Sequence, residues 1–467
     1  MATNSPEQRS TVAKQYEAWG LLVSTSNVRP VHIANGLVQL LRLADDPPRP
    51  TPGDNFAEDY VHLAAHRLQE RGWRDLPSAV HAIAVTTSKH GPRLLFDGER
   101  RVDEAPYFER GREHIRTNIR EQRIGPDEQR LIASVFNADN KVMEFGAADP
   151  TTPGLILAGY TSTHTLKGMH AATFLGLLAH SEPGREALAN LYRLLHGMAD
   201  AQSRLLNALR LGAPHSWPPS LVPAGLISNY PLPAGAGWPE LANEAGRLTR
   251  NVLRWGDYGA SKAEVLMAVV DLAALLLTMR LLRWEDRRTG DQLRLLLTIS
   301  PVQPRGDLRT AIARAQQSLA AAASTLDISA RGAGLLERGD AEDRREYLPS
   351  RHALNLGAGA GWLYPLNPQG GAKRYVRPGA RQLTTLVHAL IAPGQTLSWP
   401  EFAEQAEHLG LAVGGPNEHR TENRLRIGPV SNTLRQVGVA NREHLVALGL
   451  ARRESDNVII IDGGTDA

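Results

Sequence analysis

The sequence predicts a mainly α (α+β) protein: a helical multi-domain body with small β elements and a separate C-terminal module. Three observations support this prediction. Apolar residues recur at helical spacing along much of the chain. The 42 glycines and 30 prolines, with only 5% aromatic residues, suit helices joined by turns and loops. A length of 467 residues suggests several domains.

Charge and cysteine usage restrict the chemistry available to the chain. The 52 Lys and Arg residues nearly balance the 49 Asp and Glu residues, so net charge alone does not indicate a nucleic-acid partner. No cysteine is present, which excludes disulfides, thiolate zinc sites and iron–sulfur clusters. Residues 1–10 are polar and do not resemble a signal peptide. We therefore expect a cytoplasmic protein without a metal or cofactor.

Residues 1–211 are predicted to form an N-terminal α+β domain. Helices are expected over 5–23, 31–44, 56–71, 106–123, 166–180 and 184–211, with strands at 81–87, 93–96 and 155–160. Acidic residues at 97–104 and 139–144 lie among these elements. A metal-dependent nuclease with a divergent site in 80–165 is therefore one alternative reading.

A proline-rich segment at 212–239 follows and contains seven prolines. Such a density excludes a helix or a central strand. Trp217, Tyr230 and Trp238 are interspersed among the prolines. The segment is therefore predicted to be a linker or an arm that packs on a protein surface.

Residues 240–354 are predicted to form a helical domain, with helices at 240–256, 261–286 and 306–325 and a strand at 293–300. The apolar stretch from Val265 to Leu282 is long enough to cross a membrane, but Asp271 and Arg280 interrupt it. It is therefore predicted to be a buried helix of a soluble core. A buried Asp271 needs a partner, and we expect an arginine from a neighbouring helix.

A glycine-rich hinge is predicted at 355–378, within a loop-like stretch. Gly357, Gly359 and Gly361 lack the following helix that a dinucleotide site requires, and no Gly-Lys-Ser/Thr sequence forms a P-loop. Lys373 and Arg374 lie beside Tyr375, a mixture that suits contact with a nucleic-acid backbone. Because the hinge resembles a domain boundary, we expect the body to stay folded when the residues after it are deleted.

The last predicted domain covers residues 379–467. Helices are expected at 381–391, 399–409, 430–437 and 441–448, followed by a hairpin with its tip at Asp456 and Asn457. Ser398 and Glu401 have the spacing of a capping box at the start of the second helix. Helices followed by a terminal hairpin, with the passage 445–451 leading into the strand 458–461, resemble the winged-helix superfamily over residues 379–463.

This resemblance implies contact with double-stranded DNA, because winged helices often place one helix in the major groove. Between Arg420 and Arg453 seven arginines face two glutamates, a local excess of five positive charges. The candidate DNA-binding residues are Arg420, Arg424, Arg426, Arg435, Arg442, Arg452, Arg453, Lys373 and Arg374. The wider segment 373–467 has a net charge of only +1, and winged helices also dock proteins. A protein interface therefore remains open.

The function expected from the sequence is that of a non-enzymatic, DNA-associated or scaffold subunit of a bacterial multi-protein system. The Ala-, Arg- and Gly-rich composition resembles that of high-GC bacterial genomes. Large accessory proteins without catalytic motifs are common in phage and mobile-element defence. The expected partners are other protein subunits and double-stranded DNA, with no membrane. Besides the nuclease, a transcription regulator with a ligand-binding helical body is the other alternative.

Overall fold

The computed structural model describes residues 15, 18, 19, 30, 33, 37, 163–194, 238–284, 295–296, 307–336, 348–366, 368, 373–414, 431–454 and 458–462. Of these residues 73% are helical, and the strands are few and short. The part of the chain that the structure describes is therefore mainly α, as the sequence predicts. The predicted nuclease region, apart from residues 163–165, and the proline-rich segment, apart from residues 238 and 239, lie outside the described residues.

The chain divides into two compact units. One unit consists of Met1–Val28, Pro233–Ala260 and Ala268–Ala467, and the other of Arg29–Leu232 and Ser261–Met267. The domain boundaries expected from the sequence remain predictions.

Two consecutive helices make up most of the described part of the second unit. Helix α1 covers Thr163–Ala179, and α2 occupies the described residues 182–194. Apolar side chains of both helices are buried, including Phe174 and Leu191. The Ser181 hydroxyl accepts a hydrogen bond from the Gly184 N–H at 3.1 Å, which satisfies one amide at the start of α2.

Most described helices lie in the first unit. Their bounds are α3 Trp238–Arg254, α4 Lys262–Leu282, α5 Asp307–Gly332, α6 Pro349–Gly359, α7 Ala380–Leu390, α8 Trp399–His408 and α9 Ser431–Ala447. The first residues of α4 group with the second unit. Helix α3 packs against α7, and α5 packs against both α6 and α9. The long, alanine-rich α5 therefore contacts helices from two separate stretches of the chain.

Seven short strands complete the described part. They are β1 Leu295–Leu296, β2 Leu363–Tyr364, β3 Tyr375–Val376, β4 Thr396–Ser398, β5 Leu411–Ala412, β6 Ala451–Arg453 and β7 Ile459–Asp462. Strands β1 and β5 pair in parallel, and β2 pairs with β3 in antiparallel orientation. The remaining three strands form an antiparallel sheet in the order β4-β7-β6.

Helix α4 is the apolar centre of this part of the chain. The window Glu264–Leu282 is long and apolar enough to span a membrane, yet 94% of it is buried inside the protein. This burial fits the core helix of a soluble protein and confirms that the stretch is buried. Arg280 does not pair with Asp271; it donates to the carbonyls of Ala18 and Trp19 at 3.2 and 3.0 Å.

The predicted loop-like character of 355–378 is wrong for its described residues. Helix α6 continues to Gly359, and β2 and β3 form a hairpin. Gly361 adopts φ +80°, and the Trp362 N–H donates to the carbonyl of Gly357 at 2.9 Å, as in a Schellman helix end. The glycines therefore form a tight turn at the end of a helix, whereas the sequence pattern had indicated a flexible hinge. Whether this segment is a domain boundary remains a prediction.

The two helices predicted at 430–437 and 441–448 are one helix, α9. Gly438 lies between the two predicted helices and is inside α9. A Cβ atom at Gly438 would overlap the carbonyl oxygen of Gly414. Glycine is therefore required at position 438 because two backbones pack closely there, and not because a helix ends there.

Candidate nucleic-acid interface

The C-terminal module follows the order α7, β4, α8, β5, α9, β6, β7. The inward side chains of α7 are Leu383, Leu386, Val387 and Leu390, as their spacing predicts. Strand β7 lies between β4 and β6, with Leu397 and Ala451 both opposite Ile461. The last two strands flank residues 455–457, which confirms the predicted hairpin.

Helix α8 begins at the predicted capping box. The Glu401 carboxylate accepts hydrogen bonds from the Ser398 N–H at 2.8 Å and the Ser398 hydroxyl at 2.6 Å. These two bonds hold the pKa of the exposed Glu401 carboxyl below its usual value. The cap fixes the direction in which the chain leaves β4 and enters α8.

One face of α9 is packed inside the protein. Leu434 and Val437 join a buried cluster with Ala311 and Ala315 of α5. The Asn441 amide donates to the carbonyl of Val413 at 2.9 Å, beside the close contact between Gly414 and Gly438. These contacts fix the rotation of α9 about its axis and determine which side chains face outward.

The outward face of α9 presents polar side chains near its N-terminus. Asn432, Arg435 and Val439 are exposed, and Gln436 is half-buried. These positions recur every three or four residues, so they lie along one side of the helix. Of these, only Arg435 was a candidate from the sequence. Helical spacing is the sequence signal that could have revealed the other two polar residues. Asn432 precedes Arg435 by three positions, and Gln436 precedes Val439 by three.

Strand β6 carries Arg452 and Arg453 on the same module, and both arginines form ion pairs. Arg452 lies 3.3 Å from Glu454 and 3.9 Å from Asp462. Arg453 pairs with Glu443 of α9. Both arginine side chains are about half exposed, and such pairs typically contribute only about 0–1 kcal/mol. A phosphate can therefore compete for these guanidinium groups.

The Arg442 side chain makes contacts within the protein and is less available to a ligand than Arg452 and Arg453. Its guanidinium carbon lies 5.9 Å from the centre of the Trp399 ring, and its Nε donates to the Gly438 carbonyl at 3.3 Å. Trp399 is buried and donates through its indole to the Gly414 carbonyl at 3.0 Å. Arg442 therefore helps to hold α9 on α8, and less of its side chain faces outward.

The two candidates in the β2–β3 hairpin differ from each other. Arg374 donates to the carbonyls of Pro365 and Leu366 at 3.3 and 2.8 Å and to the side chain of Asn355 at 2.9 Å. Burial lowers the pKa of this guanidinium. Lys373 is exposed, with its carbonyl accepting a hydrogen bond from α5. The structure thus places Arg374 as a brace of the hairpin and Lys373 at its surface.

Arg420, Arg424 and Arg426 lie outside the described residues. In chain order they come directly before α9. Among the residues that the structure does describe, no cluster of three or more His, Asp or Glu side chains could hold a metal ion.

Comparison with known proteins gives no relative from which a role could be transferred. No protein-family model, curated protein or solved structure matches this chain. The assignment of function therefore depends on the surface geometry alone.

Proposed function

We propose that residues 379–463 form a winged-helix-like module that binds double-stranded DNA, and that the chain is a non-enzymatic, DNA-associated subunit of a bacterial multi-protein system. The observation that carries this proposal is the outward face of α9, where Asn432, Arg435 and Gln436 lie side by side. A role in phage or mobile-element defence, in the cytoplasm, remains part of the same proposal.

The order of elements supports the module. A helix, a strand and two further helices precede a hairpin, and the first strand, β4, pairs with the last strand, β7. This arrangement leaves α9 directly before the hairpin, where winged helices carry their recognition helix. The residues at the surface of α9 would then enter the major groove.

The side-chain chemistry of the exposed face suits base recognition. Arginine can donate two hydrogen bonds to guanine, and Asn or Gln can pair in the same way with adenine. An apolar side chain such as Val439 can contact the methyl group of thymine. Arg452 and Arg453 of the hairpin that follows would then contact phosphates, which positions the helix without reading sequence.

A protein-docking role is the second candidate, and a specific observation favours it. Arg452 and Arg453 already have carboxylate partners, and Val439 and Val458 are 46% and 44% exposed. A surface of paired charges and exposed valines also suits a protein partner. The nuclease and the transcription regulator remain alternatives that rest on the sequence.

Binding of a labelled duplex, measured by fluorescence anisotropy, tests the proposal. The test variant replaces Arg435, Arg452 and Arg453 by Ala. The matched control is Arg351→Ala, which removes an exposed arginine of α6 outside the module. We expect the triple variant to lose at least ten-fold in affinity while the control binds as the parent does. A parent chain that does not bind duplex DNA, or a folded triple variant with unchanged affinity, contradicts DNA contact by this surface.

A further inference from the structure

The β2–β3 hairpin presents an aromatic side chain that the proposed duplex contact does not use. Tyr364 is 49% exposed on the outward side of β2, whereas its neighbour Leu363 is buried. The Arg377 guanidinium carbon lies over the Tyr364 ring, 4.6 Å from its centre. The ring of Tyr375 meets Tyr364 edge-on at a centroid distance of 5.9 Å. Tyr364 is therefore held in place from two sides and is still open to solvent.

The surroundings of this ring are rigid. Tyr375, Val376 and Leu363 are buried, and the Arg374 brace connects the hairpin to Asn355 of α6. Burial raises the pKa of the Tyr375 phenol, and the nearby Arg377 guanidinium offsets part of that rise. A ring fixed in this way loses little conformational freedom when a planar ligand stacks on it.

The electrostatic setting favours an anionic ligand. From Tyr347 to Pro400 the chain has no Asp or Glu, while it has five basic residues. Two of them, Arg374 and Arg381, are used inside the fold, and Lys373 and Arg377, which flank the Tyr375 strand, remain at or near the surface. The local excess of basic residues in this stretch suits phosphate groups.

The hairpin also lies near the proposed duplex-binding helix. Helix α5 packs against both β3 and α9. Burial lowers the pKa of the His444 imidazole of α9, and the positive charge of Arg377 adds to this effect. Tyr375 of the hairpin also lies in the buried cluster that contains Leu434 and Val437 of α9, so the hairpin and α9 belong to one packed part of the first unit.

We propose that the pair Tyr364 and Arg377 stacks an unpaired base, so that the preferred ligand is DNA with a single-stranded segment beside a duplex. The base would lie on the ring face opposite Arg377, with Lys373 near the strand's phosphates. Aromatic side chains and arginine planes are common stacking surfaces for single strands, and they tolerate any base. This inference extends the proposed function, which supplies the duplex half of the ligand.

Three labelled ligands test the inference with the full chain: a duplex, an oligo(dT) strand, and the same duplex with a dT tail. Tyr364→Ala is the test variant, and Tyr364→Phe is its matched control because it keeps the ring. We expect Tyr364→Ala to weaken binding of oligo(dT) and the tailed duplex by roughly five-fold or more, with plain duplex unchanged. Tyr364→Phe should bind all three ligands as the parent does.

A second measurement uses the parent chain and does not depend on a variant folding. A 2-aminopurine base placed in the tail should lose fluorescence on binding, because stacking quenches it. Unchanged fluorescence on binding, or a folded Tyr364→Ala variant with undiminished affinity for oligo(dT), overturns the inference.

The two proposals fail in different ways. If the parent binds oligo(dT) through Tyr364 but does not bind the plain duplex, the stacking inference stands and the duplex-binding function fails. If the parent binds the duplex through Arg435 and the tail adds no affinity, the stacking inference fails and the duplex-binding function stands. A parent that binds none of the three ligands overturns both and leaves a protein partner as the occupant of this surface.

Discussion

Arg381 and Asp271 form a bidentate ion pair within the first unit. The guanidinium Nε lies 2.7 Å from one carboxylate oxygen of Asp271, and Nη2 lies 3.1 Å from the other. The Gln382 amide donates to the same carboxylate at 3.2 Å. The arginine that neutralises the buried Asp271 carboxylate of α4, and the glutamine that donates to it, therefore both come from α7.

Removing Arg381 should destabilise the protein. Asp271 is only 1% exposed, so Arg381→Met leaves a buried carboxylate with only Gln382 to hydrogen-bond it. We expect a loss of about 2 kcal/mol in the free energy of unfolding at pH 7, measured by urea denaturation. This is less than the roughly 3–5 kcal/mol of a broken, fully buried pair, because the Arg381 side chain is 43% exposed and Asp271 can take up a proton.

The double variant Asp271→Asn with Arg381→Met is the control for this prediction. It removes both charges and should recover at least about half of the lost stability. A single Arg381→Met variant as stable as the parent would show that the ion pair contributes nothing.

Asp271 should make stability depend on pH in an identifiable window. Burial raises the pKa of its carboxyl to about 6, against an ordinary value of 3.8, and the ion pair with Arg381 offsets only part of this effect. The folded chain therefore binds more protons than the unfolded chain between these two pH values. Stability due to this group is fully present below about pH 4 and is lost as the pH rises through about 6.

The measurement is the difference in unfolding free energy between the parent and Asp271→Asn at several pH values. Relative to the variant, the parent should lose about 2–3 kcal/mol between pH 4 and pH 7. Other titrating groups are common to both proteins and cancel. A difference that stays constant, or that changes in the parent's favour, contradicts the assignment.

Much of the local structure could be predicted because it depends on neighbouring residues. The apolar spacing of α7 and the Ser398–Glu401 cap are short-range signals, and the structure confirms both. The need of Asp271 for an arginine from another helix also followed from the cost of burying a lone charge, and Arg381 meets it. That Arg381 would be the partner could not be predicted, because the two residues are far apart in sequence.

The glycine-rich segments were misread because a glycine can serve several purposes. Gly361 ends α6 with a positive φ, and Gly438 allows two backbones to approach closely. The sequence alone does not distinguish either role from a flexible loop, because both roles depend on the element that packs against the glycine. For the interface, the arginines were visible as a charge excess, but the internal contacts of Arg374 depend on Asn355 and on the hairpin's own carbonyls.

Replacing Gly438 by Ala should destabilise the module. The added methyl group would overlap the Gly414 carbonyl and force α9 away from residues 411–414. We expect a cost of about 2 kcal/mol or more, although Ala is otherwise favoured over Gly within a helix by about 1 kcal/mol. Thermal or urea unfolding measures the difference.

Gly332→Ala is the matched control, since a methyl group there meets no atom within 4 Å. It should leave stability unchanged or raise it by up to about 1 kcal/mol. Equal effects of the two substitutions would rule out close packing as the role of Gly438.

Deleting residues 379–467 should also destabilise what remains. The truncated chain loses Arg381 and Gln382, the side-chain partners of Asp271, and loses α7, which packs against α3. These contacts predict a less stable truncated chain, whereas the glycine-rich segment predicts that the body stays folded. Urea unfolding of the truncated chain should show an earlier midpoint than the parent. A midpoint equal to the parent's would restore the expected boundary at 355–378.

The dependence of duplex affinity on salt tests the central claim most directly. Each phosphate contact adds about 0.9 to the magnitude of the slope of log K against log salt concentration. For the variant with Arg435, Arg452 and Arg453 replaced by Ala, we predict a slope shallower than the parent's by about 1–3. Circular dichroism confirms that the variant is folded, and Arg351→Ala should keep the parent's slope. A folded triple variant with the parent's slope would contradict DNA binding through α9 and the adjacent hairpin.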